Sequence, residues 1–448
     1  MKNITSFDEV GSKCLGATDV LDLNDPHFLS PNNHTATLDQ KEIEELALEM
    51  MSHPRVLAAK QAAARRWRMM CTDEVPSEAW VSFEKKMEEW TFHYLLLAIN
   101  GDSNYPKVLD HGYGPPHNWF GMDVPGCRGP GTAENPDNNY SWIPVDGRSH
   151  FELHGKLSDK PVGECPFHIV GNLSMGMNLA CLDWQDVEID EDGNFVITIS
   201  PEPANGRKNH IQTMINARYI FVRASRVNWD QKPHALRIKR VTPPTAPPQS
   251  IDQIAELANR YIIDDISENF WFHRMVACVD INTCTEPETT TFFGGMAIQK
   301  LARGHLKLND NEAFVLTLKP GGSKYFVTVL YDYWLMSGNY WSRQSTLNND
   351  QSIANEDGSY TYVFSLKDPG VHNWIDMLDT YEPLFMIRLN QLPQTKDHDF
   401  GETEIHTQVV KLCDLKDVLP KETKWVSPEE REQALSKRLE QFNNRYVV

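Results

Sequence analysis

The chain lacks the features by which several large protein classes are recognised. No uninterrupted apolar stretch approaches the ~20 residues that a membrane-spanning helix needs. The first ten residues are polar and acidic, without the basic start and apolar run of a secretory signal. Lys and Arg number 43 against 62 Asp and Glu, so the formal net charge is −19. This balance argues against non-specific binding to nucleic acid or anionic lipid, since both require a basic face. We therefore expect a cytoplasmic protein.

Cysteine pairs and common catalytic motifs are also missing. The 8 cysteines form no C-x-x-C pair and have no regular spacing, so neither a zinc knuckle nor a disulfide framework is expected. The sequence has no G-x-S-x-G, no Walker loop, no G-x-G-x-x-G after a predicted strand and no H-E-x-x-H. These absences argue against common hydrolases, kinases and nicotinamide-dependent dehydrogenases. We expect no cofactor, no metal, no nucleic acid and no membrane as partners.

The N-terminal quarter carries helix signals. The 448 residues predict two or three domains. Residues 1–36 have few apolar positions and predict a loose segment, whereas three- and four-residue apolar spacing predicts a helix over 38–51. Pro54 and Pro76 fit the first turns of two further helices, 55–70 and 77–99, because a proline there loses no intrahelical hydrogen bond. We expect a helical subdomain over residues 1–100.

The rest of the chain is rich in strand and turn signals. Residues 102–139 are dense in Gly, Pro and Asn and predict long structured loops. Short strand-like runs then complete a β-rich domain over 101–240, and the proline-rich segment 241–250 predicts a stiff linker. A second domain over 251–448 has helices first, strands after and a final helix. Frequent turns without a βαβ rhythm favour an α+β protein with two antiparallel β-sandwich regions.

One strand-like run is a weak candidate for a metal site. Alternation along the strand places His150, Glu152 and His154 on one face. The two histidines start ~13 Å apart at a rise of ~3.4 Å per residue, too far to reach one ion comfortably. A solvated polar face is the favoured interpretation.

Aromatic and polar residues cluster in the second half. Flat rings with neighbouring amide, Arg and Asp groups could line a site for a sugar or a fused-ring ligand, or fill a sandwich core. The candidate substrate-binding residues are Trp334, Tyr340, Trp341, Arg343, Asn373 and Trp374.

Several short blocks, in order, resemble one family. They are residues 331–334 with Tyr340 and Trp341, 345–351, 355–360, 368–374, Arg388, 419–420 and 426–431, preceded by 135–140 and 154–155. These blocks are similar to the uncharacterised bacterial domain-of-unknown-function family twelve-fourteen, over about residues 130–440. The resemblance implies jelly-roll-like β-sandwiches and a place among catabolic genes, and it supplies no shared catalytic set.

Three functions remain open, and the third of them is a structural or assembly partner without a small-molecule site, which predicts a large apolar inter-subunit face and no convergent polar pocket. The first is a catabolic lyase, isomerase or hydrolase that acts by cofactor-free acid–base chemistry on a small, largely apolar or cyclic metabolite, within a homo-oligomer. Asp137 or His154 is the candidate base, and Tyr140 a further catalytic candidate. The second is a non-catalytic carbohydrate- or metabolite-binding protein, with aromatic platforms on a sandwich. Exposed coplanar rings favour the second function, whereas an enclosed pocket with a titratable group of shifted pKa favours the first.

Overall fold

The computed structural model describes residues 20–71, 75–171, 173, 178–289, 299–390 and 402–448. Part of the predicted loose segment, residues 1–19, lies outside these ranges. In the described ranges the chain has the predicted α+β class, with helices and mostly antiparallel sheets. None of the helices in these ranges is long and apolar enough to cross a membrane.

The three N-terminal helices are confirmed. They are α1 (Leu38–Met50), α2 (Pro54–Met70) and α3 (Ser77–Ile99). The Thr37 side chain caps α1 by accepting a hydrogen bond from the backbone N–H of Gln40, and Pro54 occupies the first turn of α2. Local signals therefore define these boundaries, because caps and prolines act within one turn.

A first β-sandwich follows the helices. Its strands are β1 (Leu109–Gly112), β2 (His117–Trp119), β3 (Met122–Val124), β4 (Asn138–Pro144), β5 (Phe151–Lys156), β6 (Phe167–Val170), β7 (Asn178–Leu182), β8 (Asn194–Ser200), β9 (His210–Gln212), β10 (Tyr219–Ser225) and β11 (Ala235–Arg240). One sheet has the order β1-β4-β10-β6-β7 and the other β11-β5-β8-β9, while β2 and β3 form a separate hairpin. Ile143 and Ile220 of the first sheet share a core with Leu153 and Ile197 of the second.

Two helices follow the proline-rich segment and pack back on the N-terminal helices. They are α4 (Ile251–Asp264), which begins with a capping box between Ser250 and Gln253, and α5 (Ile266–Ala277). Trp67 of α2, Trp90 of α3 and Ile262 of α4 lie in one hydrophobic core, and the indole N–H of Trp90 donates to the backbone oxygen of Ile262. The helical layer thus draws on both sides of the linker.

The second β-sandwich contains the remaining strands. They are β12 (Thr283–Cys284), β13 (Glu288–Thr289), β14 (Lys300–His305), β15 (Glu312–Pro320), β16 (Tyr325–Tyr331), β17 (Thr346–Asn348), β18 (Tyr360–Ser365), β19 (Trp374–Asp376), β20 (Leu384–Asn390) and β21 (Thr403–Lys411). One sheet has the order β12-β14-β20-β16-β17, with β13 paired to β14, and the other β19-β18-β15-β21. Phe326 and Phe385 of the first sheet share a core with Phe314 and Phe364 of the second.

The two sandwiches have the same topology. Strands β4 to β11 correspond in order to β14 to β21: β4-β10-β6-β7 matches β14-β20-β16-β17, and β11-β5-β8-β9 matches β21-β15-β18-β19. The parallel pair β8–β9 also recurs as β18–β19. Matching strands β10 and β20 each carry an arginine as their fifth residue, Arg223 and Arg388. The sandwiches are therefore two copies of one structural unit.

The last described segment lies across both halves. It contains α6 (Leu415–Val418), α7 (Pro428–Asn443) and a 3₁₀ turn over Asn444–Tyr446. Arg438 of α7 donates to the backbone oxygen of Thr346 at 2.8 Å, in the second sandwich. Arg445 donates to the backbone oxygen of Pro136 at 2.9 Å, just before β4 of the first sandwich. These contacts place the segment after α7 against the junction of the two sandwiches.

Candidate functional site

Asp137, a candidate base, lies fully buried at this junction. Its Oδ1 accepts from the indole N–H of Trp229 at 2.7 Å. Its Oδ2 accepts from the Tyr325 hydroxyl at 2.7 Å and from Asn348 Nδ2 at 3.0 Å. Tyr325 and Asn348 belong to the second sandwich, so the carboxylate links the two halves. With three donors on its two oxygens, the geometry favours a structural role for Asp137.

A small polar cavity lies next to Asp137. It is lined by residues 111–115, by Glu134, Asn135, Asn138 and Asn139, and by Arg226, Tyr340, Arg445 and Tyr446. We call it the junction cavity. Its volume is ≈ 10 Å³, which is room for about one water molecule. Titratable and amide side chains from distant parts of the chain meet here around an enclosed space.

His111 is the titratable imidazole of the junction cavity. Its ring is buried, and this burial, together with the positive charges of Arg226 and Arg445, holds its pKa well below the usual range. Its Nε2 lies 2.8 Å from the Thr35 hydroxyl, which itself donates to Asn33 Oδ1 at 2.7 Å. Because the Thr35 proton is committed to Asn33, Thr35 accepts from His111 Nε2–H. We assign the neutral tautomer with its lone pair on Nδ1.

Further carboxyl groups near the cavity have raised pKa values. Burial raises the pKa of Asp110 to about 6. Hydrogen bonds from the Ser141 hydroxyl at 2.5 Å and from Asn139 Nδ2 at 3.1 Å act in the opposite direction and lower the pKa, but burial has the larger effect. Burial also raises the pKa of Glu44 to about 8, so that it is largely protonated at neutral pH. Together with His111, these groups give the region an unusual concentration of perturbed titratable side chains, a feature of functional sites.

Two arginines lie over the ring of Trp229 beside the cavity, and a third, Arg226, is an electrostatic neighbour of one of them, Arg445. The guanidinium carbons of Arg438 and Arg445 lie 4.2 Å and 4.4 Å from the ring centroid. Burial, reinforced by the charge of Arg445, lowers the pKa of Arg226 to about 9. In the described part of the chain, Nε and Nη2 of Arg445 are buried without a hydrogen-bond acceptor. Arg226 uses only its Nε, which donates to the backbone oxygen of Gln231 at 3.1 Å.

The backbone around the cavity is strained. His111 has φ 56° and Tyr113 has φ 62°, and nearby Ala133 has φ 45°. Residues other than glycine rarely adopt this left-handed region, at a cost of about 1–3 kcal/mol each. Such strain is typical of functional sites, where the surrounding structure enforces it.

A larger groove runs along α7 and has a different character. This open groove has a volume of ≈ 530 Å³, and its lining mixes apolar side chains such as Val426, Leu435 and Leu439 with polar and charged ones. Its Arg431 is already paired with Asp368 at 2.9 Å. We take the junction cavity as the candidate site because its polar groups converge and two of its arginines keep free donors.

The structure brings two of the other predicted residues to the junction. Tyr340 lines the cavity, and burial raises its pKa to about 12. Tyr140 is buried near the cavity, stacked on Phe221 at 5.5 Å, and its hydroxyl accepts from the backbone N–H of Asn135. His154 lies on β5 in the other sheet of the first sandwich, where its Nε2 is 3.3 Å from Glu152.

The remaining predicted residues hold the fold together elsewhere. Trp334 is buried in the helical core, and its indole N–H donates to the backbone oxygen of Ala79 at 2.7 Å. Trp341 stacks on Phe442 with ring centroids 5.0 Å apart. The remaining contacts are Arg343 with Asp376 and Asp379, Asn373 with the backbone oxygens of Ile353 and Thr361, and the Trp374 indole N–H with Ser365.

The three candidate metal ligands on β5 and just before it, His150, Glu152 and His154, do not form a cluster. His150 lies 3.1 Å from Glu202, whereas His154 lies 3.3 Å from Glu152. Within the described ranges, no group of three His, Cys, Asp or Glu side chains is arranged to hold a metal ion.

Sequence reasoning missed His111, Arg226, Arg445 and Tyr446. Two signals pointed toward them. His111 falls in the long loop region 102–139, and Arg438 and Arg445 are seven residues apart, a spacing that places both on one side of a helix. No local pattern connects either region to Arg226.

Comparisons with known proteins identify a fold and no activity. No protein-family model and no curated protein matches the chain. The chain is similar to an uncharacterized protein from Burkholderia cenocepacia, with a TM-score of 0.66 and 19% identity over 83% of this chain and 100% of that chain. A protein from Vibrio parahaemolyticus matches with a TM-score of 0.38 and 12% identity, over 62% of this chain and 90% of that chain. The first likeness shows the fold alone.

Proposed function

We propose that this protein is an enzyme that performs acid–base chemistry on a small metabolite in the junction cavity. The observation that carries the proposal is a neutral, buried imidazole, His111, in the wall of an enclosed polar cavity. The rings of Trp334, Tyr340 and Trp374 are buried, so an exposed aromatic platform for sugars has little support. The polar lining favours a polar substrate over a largely apolar one.

His111 is the proposed general base, acting through Nδ1. The chain of hydrogen bonds from His111 through Thr35 to Asn33 would hold the ring and its tautomer during proton transfer. Tyr113 and Tyr340 are the proposed hydrogen-bond donors to the substrate, because burial raises the pKa of both phenols and keeps them protonated at neutral pH. Isomerase, lyase and hydrolase reactions all use this pair of roles.

A non-catalytic metabolite-binding protein is the second candidate. Its support is the convergent polar lining of the cavity, which can hold a ligand without any chemistry; the cavity volume of ≈ 10 Å³ is below that of a metabolite for either function. Catalysis therefore requires the cavity wall to open, and the segment after α7 that carries Arg445 and Tyr446 is the wall we expect to move.

Five wider expectations belong to the same proposal. In each sandwich the chain crosses repeatedly between the two sheets, with β6–β7 and β8–β9, or β16–β17 and β18–β19, as consecutive pairs that stay in one sheet, and these crossings support a jelly-roll-like arrangement. The sequence blocks are the support for the resemblance to family twelve-fourteen, and the resemblance is the support for a role in catabolism. A cytoplasmic location and a homo-oligomeric state complete the proposal.

The test is a comparison of the wild-type protein with the variant His111→Gln. Each is incubated with an extract of small metabolites, and mass spectrometry follows which compounds are consumed or retained. We expect wild type to convert at least one compound and His111→Gln to do so at least about 100-fold more slowly, because general-base catalysis contributes at least this much. His406→Gln is the control, since that side chain is 78% exposed on β21.

Two results would count against this proposal, the first against the role of His111 and the second against the enzyme. Equal conversion by wild type and His111→Gln would remove His111 from the mechanism. Retention of a compound by wild type with no conversion of any compound would favour the binding protein.

A further inference from the structure

Arg226 and Arg445 of the junction cavity, and Arg438 nearby, have no acidic partner in hydrogen-bond contact among the described residues. Arg226, Arg438 and Arg445 are each less than 9% exposed. Their side-chain hydrogen bonds in the described ranges go to backbone oxygens, of Gln231, Tyr340, Thr346 and Pro136. A buried guanidinium group normally pairs with a carboxylate or phosphate, because desolvation of its charge is costly.

The nearby carboxylates are already occupied. Asp137 attracts Arg226 and Arg438 electrostatically, yet its oxygens accept from Trp229, Tyr325 and Asn348. Glu134 lines the cavity, but its Oε1 accepts from the backbone N–H of Ser337 and its Oε2 from the Thr132 hydroxyl. Arg128, the nearest cation to Glu134, is itself paired with Glu89 at 2.9 Å. These acids balance charge without satisfying the free donors of Arg226 and Arg445.

Free donors coincide with the junction cavity, which has to enlarge to admit an oxyanion. Arg445 is 8% exposed, and its Nε and Nη2 lack acceptors among the described residues. Arg226 and Arg445 both line the junction cavity and repel each other. Asn33 holds the backbone of the same segment, since its Nδ2 donates to the backbone oxygen of Arg445 at 2.9 Å. An oxyanion between the two guanidinium groups would accept the free N–H groups and remove the repulsion.

We propose that Arg226 and Arg445 form an oxyanion site, and that the substrate of the cavity carries a carboxylate or phosphate group. This inference rests on the proposed function for its site and adds the chemical class of the ligand. His111 stands beside the arginines, so the same arrangement would place the rest of the metabolite against the proposed base. Closure of Arg445 over the anion would couple binding to the position of the segment after α7.

Isothermal titration calorimetry on the whole protein tests this site. Inorganic phosphate and acetate are titrated at constant ionic strength, with chloride as the background salt. We expect saturable binding of at least one probe, and the stronger of the two identifies the anion class. Arg226→Gln and Arg445→Gln should each weaken it by about tenfold or more, since each removes charge-assisted hydrogen bonds.

Matched variants separate the site from general destabilisation. Arg431→Gln is the control, because Arg431 is buried to the same degree on α7 and is paired with Asp368. It should bind the probe as wild type does. Arg445→Lys keeps the positive charge but loses the paired N–H donors of the guanidinium group. We expect this variant to bind the probe more weakly than wild type while its circular dichroism spectrum shows that it is folded.

The outcomes distinguish this inference from the proposed function. No saturable binding of phosphate or acetate by wild type would overturn the oxyanion site, as would equal binding by wild type and both glutamine variants. Anion binding that depends on both arginines, without any metabolite conversion, would support the site and count against the enzyme. Conversion that depends on His111 but is unchanged in Arg226→Gln and Arg445→Gln would support the enzyme and count against the oxyanion site.

Discussion

Individual residues at the junction show how burial changes chemistry. Asp137 and Glu44 are both buried carboxyl groups, but Asp137 accepts three hydrogen bonds, including one from a tyrosine hydroxyl and one from an amide. Glu44 accepts from Trp119 Nε1 at 2.6 Å and Gln40 Nε2 at 2.8 Å, and His117 Nε2 lies 4.0 Å away. Burial outweighs these bonds and raises the pKa of Glu44 to about 8.

Glu44 should make folding stability depend on pH. Its pKa rises from an ordinary 4.5 to about 8 in the folded protein. The folded state therefore keeps a proton that the unfolded state releases, and the free energy of unfolding falls as pH rises through this window, by up to ~1.4 kcal/mol per pH unit. Glu44→Gln carries no titrating group. We expect the Tm of Glu44→Gln minus the Tm of wild type to become more positive as the pH rises from about 5 to about 8.

Scanning calorimetry at several pH values checks this expectation. Asp110, whose pKa is raised to about 6, is present in both proteins and cancels in the difference. Glu49→Gln, on the exposed side of the same helix, is the control and should leave the difference flat. A Tm difference for Glu44→Gln that does not change with pH would show that Glu44 is ionised in the fold.

At the scale of elements, α7 positions two of the three clustered arginines. Ser427 and Glu430 form a capping box at its start: the Ser427 hydroxyl accepts from the Glu430 N–H at 3.2 Å, and Glu430 Oε2 accepts from the Ser427 N–H at 2.8 Å. The rest of the helix carries Arg438, and the turn after it carries Arg445. The capping box at the start of α7 therefore helps to position the arginines at the other end of the helix, beside the junction cavity.

Removal of the cap should destabilise the protein. Ser427→Ala leaves the N–H of Glu430 without its acceptor, and we expect a loss of ~1 kcal/mol in the free energy of unfolding. Chemical denaturation measures the change. Ser436→Ala, at an exposed position within the same helix, should change stability by less than about 0.5 kcal/mol. A Ser427→Ala variant as stable as wild type would show that packing alone fixes the start of α7.

Sequence patterns predicted the elements far better than the site. Pro54 and Pro76 mark helix starts through interactions within one turn, so the helices appear where expected. The junction cavity instead joins His111, Arg226 and Arg445, which lie more than 100 positions apart and meet only through packing. Trp334 illustrates the converse, since an aromatic residue in a suggestive block serves the helical core. Local spacing does not distinguish these two roles.

At the scale of the whole molecule, two copies of one sandwich create an interior boundary. Arg223 of β10 and Arg388 of β20 hold matching positions in the two copies, and desolvation, with a smaller effect from the charge of Arg388, lowers the pKa of the half-buried Arg223. Residues 127–139 lie along this boundary, where Arg128 donates to the backbone oxygen of Ser337 at 2.7 Å and Asn135 to the Tyr325 hydroxyl at 2.8 Å. Duplication thus supplies a protected space that neither copy has alone.

The central claim is that this space receives the anionic group of a metabolite. Diffraction from crystals of the wild-type protein soaked in selenate tests it most directly, because selenium gives an anomalous signal at the position of the oxyanion. We predict a peak in the junction cavity with oxygens about 3 Å from Arg226 and from Nε or Nη2 of Arg445. A cavity without selenate at a concentration that fills other sites on the protein would contradict the account.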